Sequence, residues 1–346
     1  MSIDETYMQR CLDLAKKGMG SVSPNPMVGA VLVYENTVIG EGYHQQYGQA
    51  HAEVNCINSV AEVNKHLIAK STLYVSLEPC SHFGKTPPCS NLIIDNKIPR
   101  VVIACSDTFE QVNGQGIEQL KSAGIQVQVG VLENEALQLN KRFFTFHTKK
   151  RPYIILKWAQ SSNGKIANAD FSRVLISNDF TNKLVHRWRS EEDAILVGTN
   201  TALYDNPSLT TRNWTGKNPL RLLLDKDLRL PTSLHLFDNT TPTIVFNATK
   251  SKKKLNLSFE KISFDSDVLK EILDKLYQLN ITSVIVEGGQ KLLQSFLQSK
   301  NWDEVRIITN EALNISNGID APSFFGYEKS FSETLLSDRI DYYCNK

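Results

Sequence analysis

Along the first 147 residues, short apolar runs alternate with stretches of helical periodicity, and this alternation limits the chain to few folds. Tyr7, Met8, Cys11, Leu12 and Ala15 share one face of an opening helix. Met27 to Tyr34 reads as an apolar strand, which Glu35-Asn36 turns into a second strand, Thr37 to Tyr43. Helix signals follow at Ala52 to Ala61, Asn91 to Asn96 and Gly116 to Ala123, separated by strands at Thr72 to Leu77, Arg100 to Cys105 and Ile125 to Val131. The order αββαβαβαβ calls for an α/β domain, a mixed sheet with helices on both faces. A polar, basic stretch from His147 to Arg151 then breaks the pattern, which puts a boundary between residues 1–147 and 148–346. Beyond it the alternation resumes. Strands are expected at Tyr153 to Trp158, Ala194 to Val197, Leu220 to Leu224, Thr243 to Phe246, Ser283 to Glu287 and Glu304 to Ile308. Helices are expected at Thr181 to Arg189, Val268 to Leu279 and Lys291 to Gln298.

Each half is long enough to bury a core of its own. Thirty-eight basic against 37 acidic side chains leave a net charge of +1, so no global field draws the chain to nucleic acid or anionic lipid. Any phosphate must be met locally. Met1 to Lys17 carries Asp4 and Glu5 and no unbroken apolar stretch, and no 18-residue apolar run follows, so neither a signal peptide nor a membrane span is expected. Six cysteines in 346 residues are too sparse for a disulfide scaffold. The expectation is a cytoplasmic protein whose cysteines bind metal or fill cores.

Three residues suit a zinc ion. His51-Ala52-Glu53 opens a helix, Cys80 follows Pro79 after a strand, and Cys89 lies further on. One imidazole and two thiolates leave the fourth tetrahedral position to water, as in catalytic sites. Such water ionises at about pH 7 instead of about 15.7. Glu53, just past the ligand histidine, can reach it without binding metal and can carry its proton to a departing amine, the part played by the glutamate of zinc deaminases. A structural site completed by His82 is the competing arrangement, but it leaves Glu53 without a task.

The wider run resembles one family. Pro24-Asn25-Pro26-x-Val28-Gly29, Gly42-Tyr43-His44, His51-Ala52-Glu53 and Leu77-Glu78-Pro79-Cys80-Ser81-His82-x-Gly84-Lys85-Thr86-Pro87-Pro88-Cys89 are similar to the pyrimidine deaminase half of the bifunctional deaminase/reductases of riboflavin biosynthesis. Eight residues separate the two cysteines here, whereas the general cytidine-deaminase signature has two. The resemblance implies a cytidine-deaminase-like αβα domain in which His51, Cys80 and Cys89 hold one Zn²⁺ and Glu53 is catalytic. It makes Asn25, His44, Lys85 and Thr86 contacts to a 2,5-diamino-6-ribosylaminopyrimidinone 5'-phosphate, with Lys85 as a point charge for the phosphate.

The chain has no complete G-x-G-x-x-G, since Gln119 stands where the third glycine after Gly114-Gln115-Gly116 is needed. It does have Val284-Ile285-Val286-Glu287-Gly288-Gly289, a strand that runs into two glycines ahead of a helix. Trp188-Arg189-Ser190, Asp193-Ala194-Ile195-Leu196-Val197-Gly198, Thr201 and Asp205-Asn206-Pro207-x-Leu209-Thr210-x-Arg212 are similar to the reductase half of the same family. That half has a dihydrofolate-reductase-like α/β fold. The resemblance implies NADPH as the second cofactor, faced by Ala159, Thr201, Asp205, Gly288 and Gly289. Arg189, Leu209, Arg212 and Glu287 would face the phosphoribosyl substrate, and Lys157 and Asp205 would be catalytic. Arg189 and Arg212 suit a phosphate because guanidinium forks bind it in bidentate fashion. Phe171 to Ser177 departs from the family's Gly- and Trp-containing segment, and Asn310 to Pro322 departs from its Gly-rich closing loop.

Two rival functions remain. A nucleic-acid or nucleoside deaminase with an accessory domain would call for the short cysteine spacing and a basic face, and both are missing. A zinc-stabilised binding module would unfold on chelation and release no ammonia. The partners expected are therefore a small phosphorylated substrate and at most further copies of the chain, not nucleic acid or membrane.

Overall fold

A computed structural model describes residues 1–81, 87–107, 114–265 and 267–345. Its contacts divide the chain into two compact units, Met1–Lys150 and Arg151–Lys346. The break falls after residue 150, not between 147 and 148. The basic stretch read as a break in the pattern begins in the last turn of a helix, Lys141–Lys149, that buries Phe143, Phe144 and Phe146.

The first unit contains α1 (Ile3–Ala15), β1 (Gly29–Tyr34), β2 (Thr37–Tyr43), α2 (Ala52–Asn58), β3 (Thr72–Val75), α3 (Cys89–Asp95), β4 (Arg100–Ile103), α4 (Gln115–Ser122), β5 (Gln126–Val129), α5 (Glu133–Leu139) and α6 (Lys141–Lys149). The sheet order is β2-β1-β3-β4-β5. β1 is antiparallel to both β2 and β3, while β3, β4 and β5 run parallel. Side chains alternate across a strand, so Ala30 and Leu32 of β1 join Ala52, Cys56, Ile93 and Ile117 on one face. Val31 and Val33 join Met8, Leu12, Ala136 and Phe144 on the other. α2, α3 and α4 therefore cover one face and α1, α5 and α6 the other, giving the αβα layering. Asn140, where α5 meets α6, donates Nδ2 to the Met27 carbonyl and accepts from the Met27 amide, at 2.9 and 2.8 Å. This buried pair holds the Asn25 to Gly29 approach to the sheet.

The second unit contains β6 (Tyr153–Ser161), β7 (Lys165–Asn168), α7 (Asp179–Glu191), β8 (Ala194–Gly198), α8 (Thr199–Asp205), β9 (Leu220–Leu224), β10 (Thr243–Asn247), β11 (Lys252–Lys253), β12 (Leu257–Lys261), α9 (Val268–Gln278), β13 (Ser283–Val286), α10 (Gln290–Ser299), β14 (Glu304–Asn310), β15 (Gly318–Asp320), β16 (Lys329–Leu335) and β17 (Asp338–Cys344). Its sheet runs β11-β12-β10-β9-β8-β13-β6-β14-β17-β16. The strands from β12 to β14 in that order are parallel, and β11, β17 and β16 extend the edges antiparallel. β7 and β15 form a separate pair. Ile154, Leu156 and Trp158 of β6 meet α9 and α10 on one face, while Tyr153 and Ile155 meet α7 and α8 on the other. The central strands are apolar on both faces, as a buried parallel sheet requires. No helix among the described residues is long and apolar enough to cross a membrane.

Candidate active sites

In the first unit, α2 and α3 each present a residue at their N-terminal end. His51 is the N-cap of α2. Cys89 is the first residue of α3, which starts ahead of the expected Asn91. Cys80 lies on the segment that follows β3. The three donor atoms lie within 4.8 Å of one another, with His51 Nδ1 3.5 Å from Cys80 Sγ and 3.4 Å from Cys89 Sγ. Zinc bonds of about 2.3 Å to sulfur and about 2.0 Å to nitrogen at tetrahedral angles set an S···N edge of about 3.5 Å. The trio therefore fits a zinc ion, with Nδ1 as the imidazole ligand. The contact with the Cys89 thiol, and then with His51, holds the Cys80 thiol well below its ordinary range, which favours the thiolate a metal needs.

Glu53, in the first turn of α2, is 3% exposed and its carboxyl lies against the Cys89 thiol. Burial, then the charge of Cys80, raises it to about 7. His44 stands edge-on to His51, with ring centres 5.4 Å apart. Asn25 Nδ2 lies 3.1 Å from His44 Nε2, and His44 Nδ1 lies 3.0 Å from the Ala50 carbonyl. An amide nitrogen can only donate and a carbonyl only accept, so the His44 proton sits on Nδ1. Burial keeps that ring neutral by lowering its pKa. His82, Lys85 and Thr86 lie outside the described residues.

Glu78 belongs to the same motif run but carried no assignment from the sequence. Its carboxylate is buried and accepts four backbone N–H bonds, from Asp107, Gly114, Gly116 and Ile117. Nothing in its spacing announces those partners.

The second unit buries a charged trio. Lys157 on β6, Arg189 on α7 and Glu287 just past β13 converge. Arg189 Nε and Nη2 donate to the two Glu287 oxygens at 2.8 and 2.7 Å, and Lys157 Nζ lies 3.7 Å from Oε2. Burial favours the neutral acid, but Arg189 and Lys157 outweigh it and hold Glu287 at about 2. Burial pushes the Lys157 ammonium down, against the pull of Glu287. The guanidinium fork of Arg189, expected to take a phosphate, pairs here with Glu287. His186, one turn before Arg189, was not singled out from the sequence. It is buried, its Nδ1 has no hydrogen-bond partner, and burial with the charges of Arg189 and Arg212 lowers it to about 4.

Other expected residues are placed differently. Thr201 on α8 meets the turn after Glu287: its side chain leaves no room for a Cβ at Gly288 and lies beside Gly289. Ala159 follows Lys157 on β6 and is half-buried. Asp205 is exposed in the last turn of α8, and Arg212 is exposed on the loop that follows. Leu209 is 2% exposed and packs among Val185, Trp188 and Ala202.

Comparison with known proteins matches both halves. Residues 1–105 fit the cytidine and deoxycytidylate deaminase zinc-binding region, and residues 152–313 fit the RibD C-terminal domain. The riboflavin biosynthesis protein RibD of Aquifex aeolicus is 42% identical over 91% of this chain and 90% of its own. That of Escherichia coli K12 is 35% identical over 87% and 86%. A solved structure from Thermotoga maritima, described as a diaminohydroxyphosphoribosylaminopyrimidine deaminase/5-amino-6-(5-phosphoribosylamino)uracil reductase, shares 36% identity. It superposes with a TM-score of 0.90 over 99% of this chain and 98% of that one. Sequence, architecture and the donor geometry at His51, Cys80 and Cys89 agree, and the chain belongs to the RibD family of riboflavin biosynthesis, bifunctional deaminase/reductases with zinc and NADPH as cofactors.

Proposed function

We propose that the first unit hydrolyses the exocyclic amine of 2,5-diamino-6-ribosylaminopyrimidinone 5'-phosphate and that the second reduces the ribosyl chain of the product to ribityl. The convergence of His51 Nδ1 with two sulfurs at a tetrahedral edge length, with Glu53 buried beside them, carries this reading. Zinc held there supplies Lewis-acid activation of water near neutral pH. Burial raises the Glu53 carboxyl above its ordinary value, which suits a group that accepts a proton and returns it to departing ammonia. Asn25 and the neutral His44 would orient the pyrimidine, and Lys85 and Thr86 would meet its phosphate.

In the second unit, NADPH supplies a hydride. Gly288, Gly289, Thr201, Ala159 and Asp205 would hold it. Glu287 stays a carboxylate at neutral pH, and Lys157, whose ammonium burial pushes down, is the member of the trio able to give up a proton, Arg189 being held protonated. Arg212, exposed and not committed to Glu287, is the better placed arginine for the substrate phosphate. Domain limits of 1–150 and 151–346 follow the two compact units. The partners are small molecules, not nucleic acid, in keeping with a net charge of +1, and thiolate ligands suit a reducing cytoplasm.

Mass spectrometry of the diaminopyrimidine incubated with the chain tests this. Without NADPH, ammonia and the deaminated ribosylamino product should form; with it, the ribitylamino product. Recovery of unchanged substrate from the zinc-loaded chain would refute the deaminase half.

A further inference from the structure

We propose that Glu78 is a positioning residue for the deaminase centre: its carboxylate keys the first turn of α4 to the Pro79-Cys80 segment and so sets where the Cys80 sulfur stands. The inference rests on the zinc deaminase reading above. Oε1 accepts from Gly116 and Ile117 at 3.0 and 3.2 Å, and Oε2 accepts from Asp107 and Gly114, both at 3.1 Å. Each oxygen thus serves two N–H groups. A Cβ on Gly116 would overlap the Pro79 carbonyl, so α4 lies directly on the backbone that precedes the ligand. The amide of Glu78 is held in turn by the Cys105 carbonyl, at 3.0 Å.

Beyond the ligand a second arm returns to the same helix. The Ser90 amide donates to the Cys80 carbonyl at 3.1 Å. The Ser90 hydroxyl lies 3.1 Å from that carbonyl and 2.8 Å from Gln119 Oε1 of α4. Cys80 is therefore gripped on both sides by contacts that end on one helix. A cysteine on an irregular segment has no ladder of its own to fix it, and metal affinity falls when ligands must be ordered on binding. Glu78 does this ordering in advance.

Glu78→Gln is close to isosteric but cannot serve. Whichever way its amide turns, two backbone N–H groups face an NH₂ in place of an oxygen. The full chain with this substitution should bind zinc about 10- to 100-fold more weakly by chelator competition. Its kcat for ammonia release at fixed sub-saturating zinc should fall with KM unchanged, and excess zinc should restore part of it. Folded Glu78→Gln with wild-type zinc affinity and kcat overturns the proposal, even if its Tm is lower. Should Glu78→Gln fail to fold, Glu78→Asp carries the test, because it keeps the charge but shortens the reach to the four backbone N–H groups. A severalfold loss of zinc affinity there supports the proposal, and affinity within twofold of wild type overturns it. A wild-type chain that binds no zinc would instead defeat the deaminase reading itself.

Discussion

Glu53 and Glu287 are both buried carboxyls, and their surroundings send them in opposite directions. Glu53 has only the ligand cluster nearby, and burial lifts it to about 7. Glu287 has two cations within reach and is held at about 2. Glu53→Gln keeps size and burial but removes the proton carrier, so ammonia release should drop about 10²- to 10⁴-fold while zinc content, read by metal analysis, stays at one per chain. Cys89→Ser should lose most of that zinc and His82→Ala should keep it; a chain emptied by His82→Ala would require a four-ligand site. Glu287 makes a prediction about pH. Its folded value lies below its ordinary 4.5, so its contribution is complete above that pH and is lost as pH falls towards 2. It amounts to up to about 3 kcal/mol, so the denaturant midpoint of the second unit should fall between pH 5 and 3 more steeply in wild type than in Glu287→Gln. At pH 7 that variant should already be weaker by about 3–5 kcal/mol, because Arg189 and Lys157 stay buried without their counter-charge.

At the scale of elements, the long parallel strands and amphipathic helices were legible because their periodicity is local. What escaped was set by partners far along the chain. The basic stretch from His147 to Arg151 reads as a break in the pattern, yet it begins inside α6, where Lys141, Arg142 and Lys149 mask the apolar spacing of Phe143, Phe144 and Phe146. The β16 and β17 hairpin is mostly polar and gains its identity from pairing with β14. Asn140 shows how much such a junction carries. Asn140→Ala would leave both Met27 backbone groups unpaired in a buried place, a loss of about 2–5 kcal/mol measurable in the denaturant midpoint of the first unit. The turn between β13 and α10 is as demanding. Gly289 has φ of 77° and lies beside Thr201, so Gly289→Val should raise the apparent NADPH constant; unchanged binding would move the coenzyme elsewhere.

For the molecule as a whole, the motif sets fall in separate compact units, so the two reactions should be separable by mutation. Glu53→Gln, given deaminated substrate, should oxidise NADPH near the wild-type rate, and Asp205→Ala should release ammonia yet accumulate the ribosylamino product. Loss of NADPH oxidation in folded Glu53→Gln would replace two sites by one. The amino-acid sequence by itself determined the α/β class and the bipartite order and picked out His51, Cys80 and Cys89, which the fold brings together beside Glu53, since strand and helix periods and metal-ligand chemistry are properties of local residue type. Tertiary structure alone decided that the Arg189 fork pairs with Glu287, that the Leu209 side chain packs among Val185 and Trp188, and that Glu78 collects four N–H groups. Hydrogen bonds and burial depend on which distant segments meet. A carboxylate in a linear chain carries no mark of the backbone amides that will satisfy it.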